Sequence, residues 1–330
     1  MTFHNGQFRI MIVSDSQDCH TIQPDTLRLI EAGLDKISPD LVVFLGDNVA
    51  QSWDGVNEQT VEQAIAAVVA PVEKRNLSFA FVFGNHDRQT GVSNARQTEF
   101  FKKHRGCLGR AGDYHLTVCG ENSTQVLLNL FFIDSGSECK NKLLSFYDFV
   151  HKGQLQWYEE TVEALARETG GIVPSFVFQH IPVREVFKGM RRVLPGTKGA
   201  VRGQTRNVHI HYVLNPKCTL DGTMNEAPCP PDYNSGQFAS WKKKGDVAAA
   251  FFGHDHVNDF HIVVDGIHLV HTAGAGFFSY GNGPHHGVRE IVVYENDVKN
   301  FETRMHYFKD LVGGEYINPG SEYKGFASIK

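Results

Sequence analysis

The sequence predicts an α/β architecture with largely parallel strand pairing, and three observations carry that prediction. Short runs rich in Val, Ile and Phe recur along the chain and stop abruptly in polar residues. Segments with helical periodicity separate these runs through the first half, an alternation that favours parallel strands with helices between them. The last third changes to strand-like runs joined by short connections that contain glycine.

The apolar runs at residues 9–14, 41–45, 79–83, 126–133, 175–178 and 247–252 are continuous rather than alternating, as expected of strands buried on both faces. Helices are predicted over residues 24–37, where Pro24 occupies the first turn, and over 58–75 and 153–167. Runs at 260–264, 267–271 and 288–294 follow one another closely and predict antiparallel strands that complete a second sheet. With neither a repeat nor a Pro/Ser-rich linker, the expectation is a single domain over residues 1–330. A basic, glycine-containing loop insertion is expected around 184–232.

Composition narrows the function. The chain has 330 residues, 41% hydrophobic and 21% charged, with a net charge of -5. That balance gives no global basic field, so nucleic acid is not the expected partner. No apolar run approaches the roughly 20 residues that span a bilayer. With a polar start and no apolar leader core, the expectation is a cytoplasmic protein without a membrane partner. The six cysteines, at 19, 107, 119, 139, 218 and 229, form no CxxC pair, so free thiols are expected. Gly274-Ala275-Gly276 lacks the third glycine of a dinucleotide site and reads as a close-packed turn beneath the core.

Chemistry appears where the buried runs end. The first runs into Asp15, the second into Gly46-Asp47-Asn48, the third into Gly84-Asn85-His86-Asp87. Two later runs end in Gln179-His180 and in Gly253-His254-Asp255-His256. The carboxyl ends of strands are where sites assemble in open α/β sheets. Singly, a Gly-Asp is usually a turn and an Asn-His-Asp a helix cap. Five strand ends in order, all offering carboxylate, amide oxygen or imidazole and no thiolate, point instead to Mn, Fe or Zn.

This ordered set resembles the signature of the calcineurin-like metallophosphoesterases. Gln179-His180-Ile181-Pro182, Asn234-Ser235-Gly236, residues 253–260 (GHDHVNDF) and Gly266-Ile267 are further similar to the low-molecular-weight purple acid phosphatase-like branch. The resemblance implies a four-layer α/β/β/α sandwich of two mixed sheets flanked by helices. It also implies two divalent or mixed-valence transition-metal ions, one held by Asp15, Asp47 and His256, the other by Asp47, Asn85, His180 and His254. The implied reaction is hydrolysis of a phosphomonoester or phosphodiester, a small phosphorylated substrate, by a hydroxide bridging the metals. His86 is implied as the catalytic imidazole, with Asp87 or a nearby carboxylate setting its tautomer.

Two departures stand out. The family commonly places a histidine two residues after the first aspartate, where this chain has Gln17, a weaker neutral donor; Asp18 or His20 could then take part. The tyrosine of purple enzymes, three residues after the bridging aspartate, is Ala50 here. Competing readings are therefore a nucleotide-type pyrophosphatase on the same site, or a catalytically weakened metal- and phosphate-binding protein. Finally, residues 184–206 carry seven Lys or Arg against the single acid Glu185. Arg184 and Lys188 are the expected substrate contacts within that basic run, which starts four residues after His180. The sequence sets no expectation for oligomeric state.

Overall fold

The computed structural model describes residues 1–313 of the chain. Strands and helices alternate first, as β1 (Gln7–Val13), α1 (Pro24–Ile37), β2 (Leu41–Leu45), α2 (Glu58–Lys74), β3 (Ser78–Val82) and α3 (Asn94–Lys102). Next come β4 (Tyr114–Cys119), β5 (Val126–Ile133), α4 (Lys152–Thr169) and β6 (Ser175–Gln179). Four short strands follow, β7 (Met190–Val193), β8 (Val201–Arg202), β9 (His211–Leu214) and β10 (Thr219–Asp221). The described chain finishes with α5 (Gln237–Lys244), β11 (Val247–Phe252), β12 (His261–Val264), β13 (Ile267–His271), β14 (Gly287–Tyr294), β15 (Asp297–Tyr307) and α6 (Phe308–Leu311).

Local chemistry explains the helices nearest the site. In α1, Leu29, Ile30, Gly33, Leu34 and Ile37 recur at helical spacing and form its buried face, and the helix stops where Ser38 turns left-handed at φ 49°. In α2, Asn57 and Thr60 satisfy each other's backbone donors in a capping box.

Two large sheets result. The first has five strands in the order β15-β14-β1-β2-β3, and the second has seven in the order β10-β12-β13-β11-β6-β5-β4. Strands β1, β2 and β3 are mutually parallel, as are β13, β11, β6 and β5. Because side chains alternate across a strand, each central strand feeds two cores. Ile10, Ile12, Val43, Leu45 and Val82 meet Leu130, Phe132, Phe176, Phe178 and Phe251 between the sheets. On the outer face of the first sheet, Met11, Val13, Val42, Phe44 and Phe81 pack under α1, α2 and α3. Outside the second sheet, Phe131, Val177, Ala250 and Phe252 pack under Tyr158 and Val162 of α4 and Phe238 and Trp241 of α5. These three cores separate four layers, α/β/β/α, the sandwich that the resemblance implied. Parallel strands put all their carboxyl ends on one edge, so both sheets deliver their polar strand ends to the same rim.

The structure departs from the sequence reading in two places. The run at 288–294, here β14, does not complete the second sheet; β14 pairs antiparallel with β1, from Gln7↔Tyr294 to Ile12↔Arg289, and makes β1 an interior strand, and β15, for which the sequence set no expectation, pairs with β14 at the edge. The segment read as a basic loop holds a three-stranded antiparallel sheet, β7-β9-β8. Its strands are only two to four residues long, too short for a periodic pattern to show in the sequence. Among the described residues, no helix is long and apolar enough to cross a membrane, and all six cysteines are free.

Candidate metal centre

The backbone is strained where the strands of the rim end. Among the described residues nine non-glycine residues have positive φ, and four of them are Asp15 (49°), Gln17 (30°), Asp47 (48°) and His254 (72°). Such conformations cost about 1–3 kcal/mol each and persist only where neighbours impose them. Here the neighbours are other strand ends. Asp15 N donates to Gly46 O (3.1 Å), Gln17 N to Asp47 O (2.9 Å), and Gly253 N to His180 O (3.1 Å).

Two glycines make room for this convergence. A Cβ on Gly84 would lie 2.1 Å from Asp47 Oδ1, and one on Gly253 would lie 2.0 Å from Ser14 Oγ and 2.7 Å from Asp15 Oδ2. The glycine before each donor is therefore required by the carboxylate of a neighbouring strand, which occupies the space its side chain would take.

Six donors meet on the rim. Asp15, Asp47 and Asn85 follow β1, β2 and β3 of the first sheet, while His180, His254 and His256 follow β6 and β11 of the second. All six are buried. Ligand atoms of Asp47, His180 and His254 lie within 4.8 Å of one another, as do those of Asp15, Asp47 and His256, so Asp47 belongs to both groups. His180 Nε2 is 3.1 Å from Asp47 Oδ2, and His256 Nε2 is 3.2 Å from Asp15 Oδ1.

The donor set fits cations. Asn85 Oδ1 and His254 Nε2 are buried without a hydrogen-bond partner, a costly arrangement in a protein interior unless an ion completes it, and Asp15 Oδ1 and His180 Nε2 meet only the charges of His256 and Asp47, without hydrogen-bond geometry. Outer contacts aim the imidazoles inward. His180 Nδ1 donates to Leu45 O (2.9 Å) and His256 Nδ1 to Tyr280 O (2.8 Å), so Nε2 is the atom each ring turns to the site, where an arriving metal would displace its proton. Ser14 Oγ donates to Asp15 Oδ2 (2.5 Å), and His86 N donates to Asp47 Oδ1 (2.8 Å).

In the protein alone, the two carboxylates of the site and its imidazoles compensate one another. Burial would raise the Asp47 carboxyl, but His180 and His86 outweigh it and hold it below the ordinary range. Asp15 is likewise lowered, burial being overcome by His256 and His180. Burial disfavours the charged form of His180, yet Asp47 and Asp15 raise it to about 10. His254 is lowered to about 3 by burial and by the neighbouring His180.

Not every residue expected in the site faces it. Asp87 does not orient His86: its buried carboxylate accepts from Gly84 N (2.7 Å), Asn48 N (2.8 Å), Val49 N (3.2 Å) and Asn48 Nδ2 (3.2 Å), tying the ends of β2 and β3 together. Lys188 lies away from the donors in the structure. It pairs with Asp265 (3.1 Å) in the turn between β12 and β13, and β13 reaches the rim only at its other end, His271. Arg184 Nη1 donates to the carbonyls of Pro231 (3.4 Å) and Asp232 and so pins that loop. Gln17 is buried beside the donors; its Nε2 donates to Asp47 Oδ2 (3.1 Å) and its Oε1 has no partner. Asp18 instead accepts from Cys19 N, Gln23 N and Thr26 Oγ1 ahead of α1, and the His20 ring packs near Trp53 at 6.2 Å.

Several residues of the site escaped the sequence reading. His86 Nδ1 lies 2.7 Å from Gln89 Oε1, at the i,i+3 spacing that a short helical turn after the motif would have suggested. Tyr147 sets its ring edge-on against His254 at 4.5 Å, and Tyr280 stacks on His256 at 4.1 Å. Gly274-Ala275-Gly276 lies beside the donors, not beneath the core. Gly274 N donates to His256 O (3.0 Å) and Gly276 N to Asp15 O (3.1 Å), splicing the two sheets. Apart from Gln89, no local pattern announces these partners, which are distant in sequence.

The profile of the family described as Calcineurin-like phosphoesterase matches residues 8–258. The chain is 26% identical over 318 residues to "Probable inactive purple acid phosphatase 14" of Arabidopsis thaliana, covering 84% of this chain and 72% of that protein. It is 28% identical over 314 residues to "Phosphatase DCR2" of Saccharomyces cerevisiae, covering 88% of this chain and 48% of that longer protein. Its fold is shared with a dimetal phosphatase from Danio rerio, with a TM-score of 0.55, 12% identity, and coverage of 91% of this chain and 99% of that one. The strand-end donors, the four layers and the profile match agree, and the chain belongs to the calcineurin-like phosphoesterase family.

Proposed function

We propose that the chain hydrolyses small phosphate monoesters or diesters with two transition-metal ions. One ion would be held by Asp15, Asp47 and His256, and the other by Asp47, Asn85, His180 and His254. The observation that supports this most is the set of buried, unpartnered oxygen and nitrogen atoms that converge around Asp47 from both sheets. When bound, such a pair of cations lowers the pKa of water and neutralises charge on the phosphoryl oxygens. The chain's own part is to fix that geometry and exclude competing donors. Asp47 is held on both oxygens, by His86 N and by Gln17 Nε2, so it cannot rotate away. The His86 ring stands beside Asp47, half exposed, where it can contact a phosphoryl oxygen or hand a proton to the departing one.

Metal analysis of the purified protein, followed by assays on p-nitrophenyl phosphate and bis-p-nitrophenyl phosphate, tests the proposal and separates monoesterase from diesterase. Protein that binds no metal and turns over neither compound with Mn, Fe or Zn would remove it.

A second reading is a weakened enzyme that binds metal and phosphate with little turnover. Gln17 supports it, because an amide replaces the family's imidazole, and so do the names of the Arabidopsis relatives that carry the word inactive. Stoichiometric metal with turnover that Gln17→His restores would favour this second reading over full activity in the native chain.

A further inference from the structure

We infer that Gln89 is the positioning residue of His86, and that Glu138 fixes which atom of the Gln89 amide the imidazole meets. The 3-10 turn Asp87–Thr90 sets residue 89 one turn beyond His86, and His86 Nδ1 lies 2.7 Å from Gln89 Oε1. An amide could offer that ring either its oxygen or its nitrogen, with opposite consequences for the tautomer. The other end of the amide decides. Gln89 Nε2 is 3.5 Å from Glu138 Oε1, the longest link in the chain, and a carboxylate can only accept. The nitrogen therefore turns to Glu138 and the oxygen to His86, so in the neutral ring Nδ1 carries the proton and Nε2 is the free atom, which takes up a proton before it can hand one to a departing oxygen.

The relay is anchored. Lys142 Nζ pairs with Glu138 Oε2 at 2.6 Å, and Arg88 pairs with Asp134 at 3.6 Å, tying the His86 turn to the segment that carries Glu138. The same segment forms a backbone bridge between Glu138 and Tyr147, whose ring rests on His254. Among the described residues the His86 ring has no other hydrogen-bond partner, and the nearest carboxylate in sequence, Asp87, is occupied by donors from Gly84, Asn48 and Val49. Its kinetic consequence rests on the phosphoesterase reading above; the tautomer does not.

The test uses the full chain loaded with zinc and labelled with 15N-histidine, in long-range proton–nitrogen spectra. The His86 resonance is identified by its loss in His86→Ala. The expected result is the Nδ1–H form in the native chain and a shift to the Nε2–H form in Gln89→Ala. Gln89→Glu, which keeps an acceptor, should retain Nδ1–H, and Glu138→Ala should give a mixture because the amide is then free to flip. In steady-state assays Gln89→Ala should lower kcat about tenfold with KM changed less than about twofold. An Nε2–H form in the native chain, or a tautomer unmoved by Gln89→Ala, overturns the inference whatever the activity. The expected tautomer shift in a chain that turns over no phosphate ester supports the positioning role and removes the phosphoesterase reading instead.

Discussion

His256 Nε2 lies 3.2 Å from Asp15 Oδ1, and the two residues come from different sheets. The site is thus the seam of the sandwich. Anything that shifts one sheet against the other changes the spacing of the donors, while each sheet can tolerate changes elsewhere.

Gly253→Ala should break that seam, because its Cβ would overlap Ser14 Oγ at 2.0 Å and crowd Asp15 Oδ2 at 2.7 Å. The expected outcome is loss of bound metal and about 1–3 kcal/mol of stability. Gly153→Ala, in α4 with open space around it, is the control and should change stability by less than about 1 kcal/mol. Metal analysis and urea melts of both variants check the pair.

Gln17→His should raise metal retention about tenfold against a chelator, since an imidazole would replace a neutral amide beside Asp47. Unchanged retention would show that residue 17 contributes nothing to holding an ion.

Lys188→Ala should leave KM for p-nitrophenyl phosphate within about twofold, because its partner Asp265 stands at the far end of β13. Asp47→Asn should abolish both metal binding and turnover. A large KM effect at Lys188 with none on stability would restore it to the substrate site.

Arg289 is buried and reaches across the sandwich, donating to Asp259 O (2.7 Å) and His271 O (2.8 Å). Its replacement by alanine strands both carbonyls and leaves a cavity. The expected loss is about 3 kcal/mol, read from the denaturation midpoint.

Acid should destabilise the fold through its buried histidines. Burial, the adjacent His268 and Arg289 lower His261 to about 3, and burial with Arg289 lowers His271 to about 3. In the unfolded chain both rings titrate near 6.5. Between those values unfolding takes up protons, so their contribution is complete above pH 6.5 and is lost as pH falls towards 3. The slope should approach about 1.4 kcal/mol per pH unit for each ring, and His261→Gln should remove its share. Melts that are flat from pH 7 to 4 would contradict this.

Much of the centre was legible in the sequence, for a physical reason. A buried strand that ends in Gly-Asp or Gly-His-Asp-His announces its donor locally, and Asp15, Asp47, His180, His254 and His256 do lie together. Lys188 and Asp87 turn to other partners than the sequence reading gave them, because charge and proximity in sequence say nothing of direction. A lysine near the motif found Asp265 as its partner, and an aspartate next to His86 was already saturated by backbone donors.

Periodicity fixed the α/β class and the principal strands, because burial on both faces and helical spacing are properties of short stretches of chain. The return of β14 and β15 to the first sheet, the pairing of Gly276 with Asp15, and the contact of Gln89 with Glu138 were decided only in three dimensions. Each depends on which distant groups compete for the same donor or the same space. A sequence lists the competitors, but only the packed chain selects among them.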